Sequence, residues 1–88
     1  MEIEYDIPVK LIFFAQSREL AGVKETTLNL PKKISYVQLL NLITNNYNLE
    51  TIRSNILLAK NEEVLAENRD IEIRESDSIA VIPPLSGG

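Results

Sequence analysis

The sequence contains no cysteine and no histidine among its 88 residues. It therefore has no side chain for a disulfide, for a thiolate or imidazole metal site, or for catalysis by a Cys/His or Ser/His arrangement. Any reaction in which this chain takes part must use a different group. We expect no metal site and no permanently bound cofactor.

Positive charge and long apolar runs are also scarce. The 9 Lys and Arg residues occur singly or in pairs, and 13 Asp and Glu residues outnumber them, giving a net charge of −4. This pattern argues against nucleic-acid binding and favours partners with basic surfaces. The longest apolar run, residues 11–15, is far below the ~18–20 residues that span a bilayer, and no basic-then-apolar signal segment opens the chain. We therefore expect a cytosolic protein that binds no membrane.

The most apolar segment, residues 9–14, predicts a strand in the centre of a sheet, preceded by a frayed start because Pro8 cannot donate a ladder hydrogen bond. Side chains alternate between the two faces of a strand. We assign Val9, Leu11 and Phe13 to the core, because the other set includes a lysine. Ile12 and Phe14 are then expected on the opposite face.

Periodicity and turn residues predict the other elements. Ser35 followed by Gln38 is a capping box, and it opens the one long amphipathic helix. The full set is a short helix at 15–21 ended by Gly22, a strand at 24–30, the helix from about 36 to 47, an irregular turn at 49–53, short strands near 56–59, 64–65 and 71–73, a turn at 75–77 and a closing strand at 78–82.

This order of elements predicts an α+β fold, in which one main helix covers one face of a mixed sheet. The first and last strands are the most apolar, so we place the first centrally with the last parallel beside it. That is the β-grasp, or ubiquitin-like, arrangement. We expect a β-grasp domain over residues 1–82 and an extended, flexible tail over residues 83–88.

The tail is the most informative stretch. Pro83 and Pro84 cannot donate backbone hydrogen bonds, so the chain should leave the sheet there. The two closing glycines have no Cβ to obstruct a narrow channel, which makes the carboxylate of the last residue the candidate reactive group. From Pro84 onward the chain could reach roughly 17 Å into another protein. The residues concerned are Pro84, Leu85, Ser86, Gly87 and Gly88.

Two motifs resemble one family. The first is Leu11-Ile12-Phe13-Phe14-Ala15-Gln16 followed by Arg18-Glu19-Leu20 and Gly22, and the second is Ile82-Pro83-Pro84-Leu85-Ser86-Gly87-Gly88. Together they resemble the MoaD family, the small sulfur-carrier subunits of molybdopterin synthase. The middle of the chain matches only in pattern, and Ser76 stands where the family commonly has glycine.

The resemblance implies a specific chemistry. An E1-like enzyme would use ATP to adenylate Gly88, and a persulfide would then convert it to a thiocarboxylate. This sulfur would pass to cyclic pyranopterin monophosphate, forming the dithiolene of molybdopterin. The reaction would take place in a MoaE-like large subunit, within a heterotetramer of two small and two large subunits. The small subunit would not be catalytic alone, and the partner would supply the cationic residues.

A docking surface is expected on the sheet face away from the helix. If the first and last strands are neighbours, Ile12, Phe14, Ala80 and Ile82 form one apolar patch there, and the resemblance supports Phe14 most strongly. The alternative is that these are scattered surface residues of no consequence. Arg18 is either a salt link to the large subunit or a solvated helix residue.

Two other functions remain open. The same terminal chemistry would serve a sulfur carrier for thiamine or tRNA thiolation, or a ubiquitin-like protein modifier. A non-catalytic β-grasp interaction module, with an incidental tail, is the third possibility.

Overall fold

The computed structural model describes residues 4–83. It contains seven strands, two α-helices and one 3-10 helix. In chain order these are β1 (Ile7–Phe13), α1 (Ala15–Ala21), β2 (Glu25–Leu30), β3 (Lys33–Ser35), α2 (Tyr36–Asn46), the 3-10 helix (Glu50–Asn55), β4 (Leu57–Lys60), β5 (Glu63–Val64), β6 (Asp70–Glu72) and β7 (Ser78–Ile82).

The main sheet has five strands in the order β2-β1-β7-β4-β5. β1 pairs antiparallel with β2 and parallel with β7, and β7 pairs antiparallel with β4. β1 is thus an interior strand with β7 parallel beside it, as the sequence predicts, and β7 occupies the middle of the sheet. The mixed sheet and its covering helix confirm the α+β, β-grasp fold class.

β1 sorts its side chains between the two faces as predicted. Val9, Leu11 and Phe13 are buried, whereas Lys10 is exposed and Ile12 is half-buried. The expectation of a strand starting after Pro8 is wrong, because β1 begins at Ile7. Pro8 is tolerated since it pairs only with Asn29 of β2, while the pairing with β7 begins at Lys10.

Both α-helices begin and end as their sequences predict. Gly22 ends α1 at φ 80°, in the left-handed region that favours glycine. At the start of α2, the Gln38 amide donates to Ser35 Oγ at 3.1 Å, and the Ser35 amide donates to Gln38 Oε1 at 3.3 Å. The capping box is therefore formed in full, which fixes the first turn of the helix that covers the sheet.

Two elements differ from prediction. Lys33–Ser35 forms β3, which pairs with β6 as a separate two-stranded sheet, whereas the sequence analysis predicts no strand there. A 3-10 helix occupies Glu50–Asn55 in place of an irregular turn. Three residues show too little alternation to reveal a strand, and a 3-10 turn lacks the 3.6-residue period.

One core joins the sheet to α2. Phe13 is the largest of its fully buried side chains, and its ring centroid lies 5.1 Å from that of Tyr47. Aromatic pairs with tilted rings at this separation contribute favourably to packing. The other fully buried apolar side chains are Val9, Leu11, Leu30, Leu39, Ile43, Leu49, Leu58, Ile79 and Val81.

Candidate functional site

The face of the sheet opposite α2 carries an unbroken row of apolar side chains. Ile12 pairs with Ala80, Ala80 pairs with Ala59, and Ala59 pairs with Val64. Paired residues present their side chains on the same face of a sheet, so this row crosses four adjacent strands. It lies at the centre of the surface that the sequence identifies as a docking patch.

A second row runs along the end of the same strands. Leu57 pairs with Ile82, and the Phe14 amide donates to the Val81 carbonyl at 3.2 Å, which places Phe14 beside Ile82. Exposure is high for large apolar side chains: 42% for Phe14, 47% for Leu57 and 63% for Val64. We call the two rows together the outer apolar face, defined as Ile12, Phe14, Leu57, Ala59, Val64, Ala80 and Ile82.

The structure brings all four predicted patch residues together. Ile12, Phe14, Ala80 and Ile82 line one open groove of about 620 Å³. Sequence reasoning missed Leu57, Ala59 and Val64, because β4 and β5 have four and two residues and show little periodicity. Alternation along β4 was the one signal that could have found two of them. Once Leu58 is assigned to the core, its neighbours Leu57 and Ala59 must face outward. The role of this face in docking stays a prediction.

A buried carboxylate fixes the polar end of the groove. Asn61 and Glu62 form the turn after β4, both with positive φ, of 50° and 74°. Asn61 Nδ2 donates to Asp77 Oδ1 at 2.9 Å, and the Arg74 amide donates to Asp77 Oδ2 at 2.9 Å. Asn61 Oδ1 in turn accepts from the Ser78 amide at 2.9 Å. The sequence predicted only a turn at 75–77 and gave Asp77 no role.

The same contacts determine the acidity of Asp77. Burial raises its pKa, but hydrogen bonds from Asn61 and the Arg74 amide, together with the charges of Lys60 and Arg74, outweigh burial and hold the pKa below its usual value. The carboxylate is thus favoured in the folded protein. Lys60 Nζ lies 4.0 Å from Asp77 Oδ2.

We predict an acid-sensitive contribution to stability from Asp77. Its stabilising effect is fully present above the pKa of an unfolded Asp, about 3.9, and is lost as the pH falls through the lower folded value. Asp77→Asn should lower the free energy of unfolding by about 1–3 kcal/mol at pH 7, because one donor would then face an amide NH₂. It should also flatten the loss of stability below pH ~4. Urea unfolding from pH 3 to 7 measures both effects.

Asp70→Asn is the matched control for Asp77→Asn. The Asp70 side chain is 59% exposed and pairs with Lys33 at 3.7 Å, so solvent and salt weaken this interaction. It should change the free energy of unfolding by less than about 1 kcal/mol. Equal effects of the two substitutions at pH 7 would contradict the role of Asp77.

Two classes of site have no counterpart among residues 4–83. No group of three or more acidic side chains there could hold a metal ion. No helix in this part of the chain is long and apolar enough to cross a membrane.

Residues 11–88 match the ThiS family. The chain belongs to that family. Its curated relatives include molybdopterin synthase sulfur carrier subunits from Anopheles gambiae, 52% identical with 93% of each chain covered, and from Drosophila simulans, 42% identical with 93% of this chain and 92% of the relative covered. Among solved structures, small archaeal modifier protein 1 from Methanosarcina acetivorans superposes with a TM-score of 0.72, covering 97% of this chain and 100% of the other, at 24% identity. That last likeness concerns the fold.

Arg18 and the tail are the remaining predicted site residues of this ThiS-family chain. Arg18 is exposed, and its Nε donates to the Phe13 carbonyl at 3.4 Å, so both interpretations of this residue stay open. β7 ends at Ile82, which lies beside Phe14, and the next residue, Pro83, is buried. The tail residues Pro84, Leu85, Ser86, Gly87 and Gly88 lie outside the described residues, and their roles stay predictions.

Proposed function

We propose that this chain is the sulfur-carrier subunit of a molybdopterin synthase. The observation that carries the proposal is the 52% identity to a curated carrier subunit over 93% of both chains. The family match, which runs through Gly88, agrees with it. A cytosolic location follows from the proposal and stays a prediction.

The reacting group is the carboxylate of Gly88. A carboxylate is a resonance-stabilised anion with a poor leaving group, so its oxygen can be replaced only after activation. ATP held by an E1-like enzyme supplies this activation, because adenylation gives the carbonyl AMP as a leaving group. The outer sulfur of a persulfide on the sulfur donor then attacks the carbonyl and displaces AMP, which leaves an acyl disulfide. A second thiol of the donor attacks the S–S bond of this intermediate, so the thiocarboxylate is released and the donor is left with a disulfide. With no cysteine in the chain, the sulfur must come from outside.

The outer apolar face is the docking surface in this proposal. Phe14, Leu57 and Val64 are among the most exposed large apolar side chains of the described residues, and all lie on this face. An exposed apolar patch of this kind marks a protein interaction site. We propose a MoaE-like large subunit as its partner, in a heterotetramer of two small and two large subunits. Sulfur transfer to cyclic pyranopterin monophosphate is then an activity of the complex.

A carrier with another acceptor is the second candidate. The family match and the fold shared with an archaeal modifier protein favour it, because both suit a carrier or modifier whose target differs. Such a carrier would supply sulfur for thiamine or tRNA thiolation, or its terminus would be attached to protein lysines. A non-catalytic interaction module is favoured by no specific feature.

Intact-protein mass spectrometry tests the terminal chemistry. The chain is incubated with ATP, an E1-like activating enzyme and a persulfide source. We expect a mass gain equal to one oxygen replaced by sulfur, located at Gly88 by fragmentation. The enzyme's competence is checked with an established carrier in a parallel reaction. No gain under those conditions would overturn the proposal in favour of the interaction module.

Co-purification then separates the acceptors. A molybdopterin carrier should assemble stably with a MoaE-like subunit and, once charged, convert cyclic pyranopterin monophosphate to the dithiolene. Charging at Gly88 without such assembly would favour the second candidate.

A further inference from the structure

The short helix α1 buries a polar residue. Ser17 is 0% exposed, and it is the one fully buried residue of the seven in α1. A buried hydroxyl is unfavourable unless it is hydrogen-bonded, so a short helix normally buries apolar side chains. The partners of Ser17 therefore indicate what this residue does.

Those partners are the main-chain carbonyls of Phe14, which links β1 to α1, and of Val81 in β7. Ser17 Oγ lies 2.6 Å from the Phe14 carbonyl oxygen and 3.3 Å from that of Val81. It donates chiefly to Phe14, since it has one hydrogen and this contact is the shorter one. The Val81 carbonyl also accepts from the Phe14 amide at 3.2 Å. The end of β1, the start of α1 and the end of β7 are thus joined at one point, which we call the Ser17 latch.

The backbone beside the latch is strained. Ala15 has φ 49°, a left-handed conformation that is uncommon for a residue other than glycine. Such a conformation persists only where surrounding contacts determine it. The Ser17 amide, 3.1 Å from the Phe14 carbonyl, and the Ser17 hydroxyl supply contacts of that kind.

The latch lies directly behind the edge from which the tail starts. Val81 is flanked by Ala80 and Ile82 of the outer apolar face, and Pro83 follows them. Phe14, the other residue held by the latch, is on the same face. A shift at this point would move the docking surface and the base of the tail relative to each other.

We propose that Ser17 is a positioning residue for activation of Gly88, holding Phe14 and the end of β7 in the geometry that delivers the tail to the activating enzyme. This inference rests on the proposed function. Ser17 touches no reacting atom and acts through the main chain of Phe14 and Val81.

Ser17→Ala tests the proposal, with Thr44→Val as its matched control. Thr44 is also 0% exposed, and its Oγ1 donates to the Leu40 carbonyl at 2.9 Å within α2, which covers the other face of the sheet. Each variant loses one buried hydroxyl bonded to the main chain, so both should show comparable decreases in Tm. Initial rates of Gly88 adenylation are measured over a range of carrier concentrations.

We expect Ser17→Ala to lower kcat/KM for adenylation about tenfold, because small misplacements of a reacting group have large effects on rate. Thr44→Val should leave kcat/KM within about twofold of the original. Amide hydrogen exchange at Phe14, the donor to Val81, should accelerate only in Ser17→Ala. Equal kinetics in the two variants would overturn the proposal.

Ala15→Gly provides a second test in case Ser17→Ala alone is too unstable to fold. Glycine relieves the strain at φ 49°, so the double variant Ala15→Gly/Ser17→Ala should regain stability while still lacking the hydroxyl. Full recovery of kcat/KM in the double variant would overturn the proposal. If the unaltered chain is not adenylated at all, the proposed function fails instead. In that case, amide hydrogen exchange at Phe14 still tests whether Ser17 holds this segment. An unchanged exchange rate in Ser17→Ala would overturn the proposed positioning role of Ser17.

Discussion

Deleting Gly88 is expected to abolish thiocarboxylate formation while leaving thermal unfolding unchanged. The shortened chain still ends in a carboxylate, on Gly87, but this group lies about 3.3–3.6 Å short of the original position. Reactive groups must be held within roughly 0.5 Å of the productive geometry, so the loss should be complete to the limit of detection. Intact-mass measurement after reaction with ATP, the activating enzyme and a persulfide gives the readout.

Stability should not change on this deletion, because the core lies within the described residues, from Val9 to Val81. The free energy of unfolding should stay within about 0.5 kcal/mol of the original. Gly88→Ala keeps the carboxylate at its original distance but adds a Cβ, so it separates the effect of reach from obstruction of a narrow channel. A charged product from the deleted chain would contradict the chemical role of Gly88. A large fall in Tm would show that the residue acts structurally.

Replacing two adjacent phenylalanines should affect two different properties, the stability of the fold for Phe13 and the affinity for the partner for Phe14. Phe13 is fully buried in the core, whereas Phe14 is 42% exposed on the outer apolar face. Phe13→Ala should lower the free energy of unfolding by about 3–5 kcal/mol, since it removes a packed ring and leaves a cavity. The total free energy of unfolding of a native protein is only about 5–15 kcal/mol, so this variant should be partly unfolded near its working temperature.

Phe14→Ala should instead weaken the complex with the large subunit. Burial of such a ring contributes about 1.5–3 kcal/mol, which corresponds to a roughly 10- to 150-fold rise in Kd. Urea unfolding of the free chain should be nearly unchanged, because much of the ring already faces solvent. Calorimetric titration with the large subunit measures the affinity. Unchanged Kd would remove Phe14 from the interface.

The contrast between these two residues shows how much of the fold was predictable. Alternation along β1 assigned each phenylalanine to its face, the Ser35–Gln38 pair located the start of α2, and β7 was predicted with its observed bounds. These elements carry long or specific patterns. Positions 12, 14, 80 and 82 were therefore predicted to share one face, and they do.

The parts that escaped prediction depend on contacts between segments distant in sequence. Ser17 reaches a carbonyl 64 positions away, and Asp77 is held by a side chain 16 positions earlier. Polar residues are expected in solvent when only the local pattern is known. β3 escaped because its partner, β6, is equally short and lies well down the chain. No local propensity encodes such pairings.

The central place of β7 has a consequence for how the protein is made. Chains are synthesised from the amino terminus, yet the strand that joins β1 to β4 comprises residues 78–82. The main sheet cannot assemble until nearly all described residues have left the ribosome, and its closing contacts are among the longest in sequence. A chain truncated before β7 leaves β1 and β4 unjoined. Only a chain translated through β7 can therefore form the outer apolar face, so a chain that stops earlier would lack it.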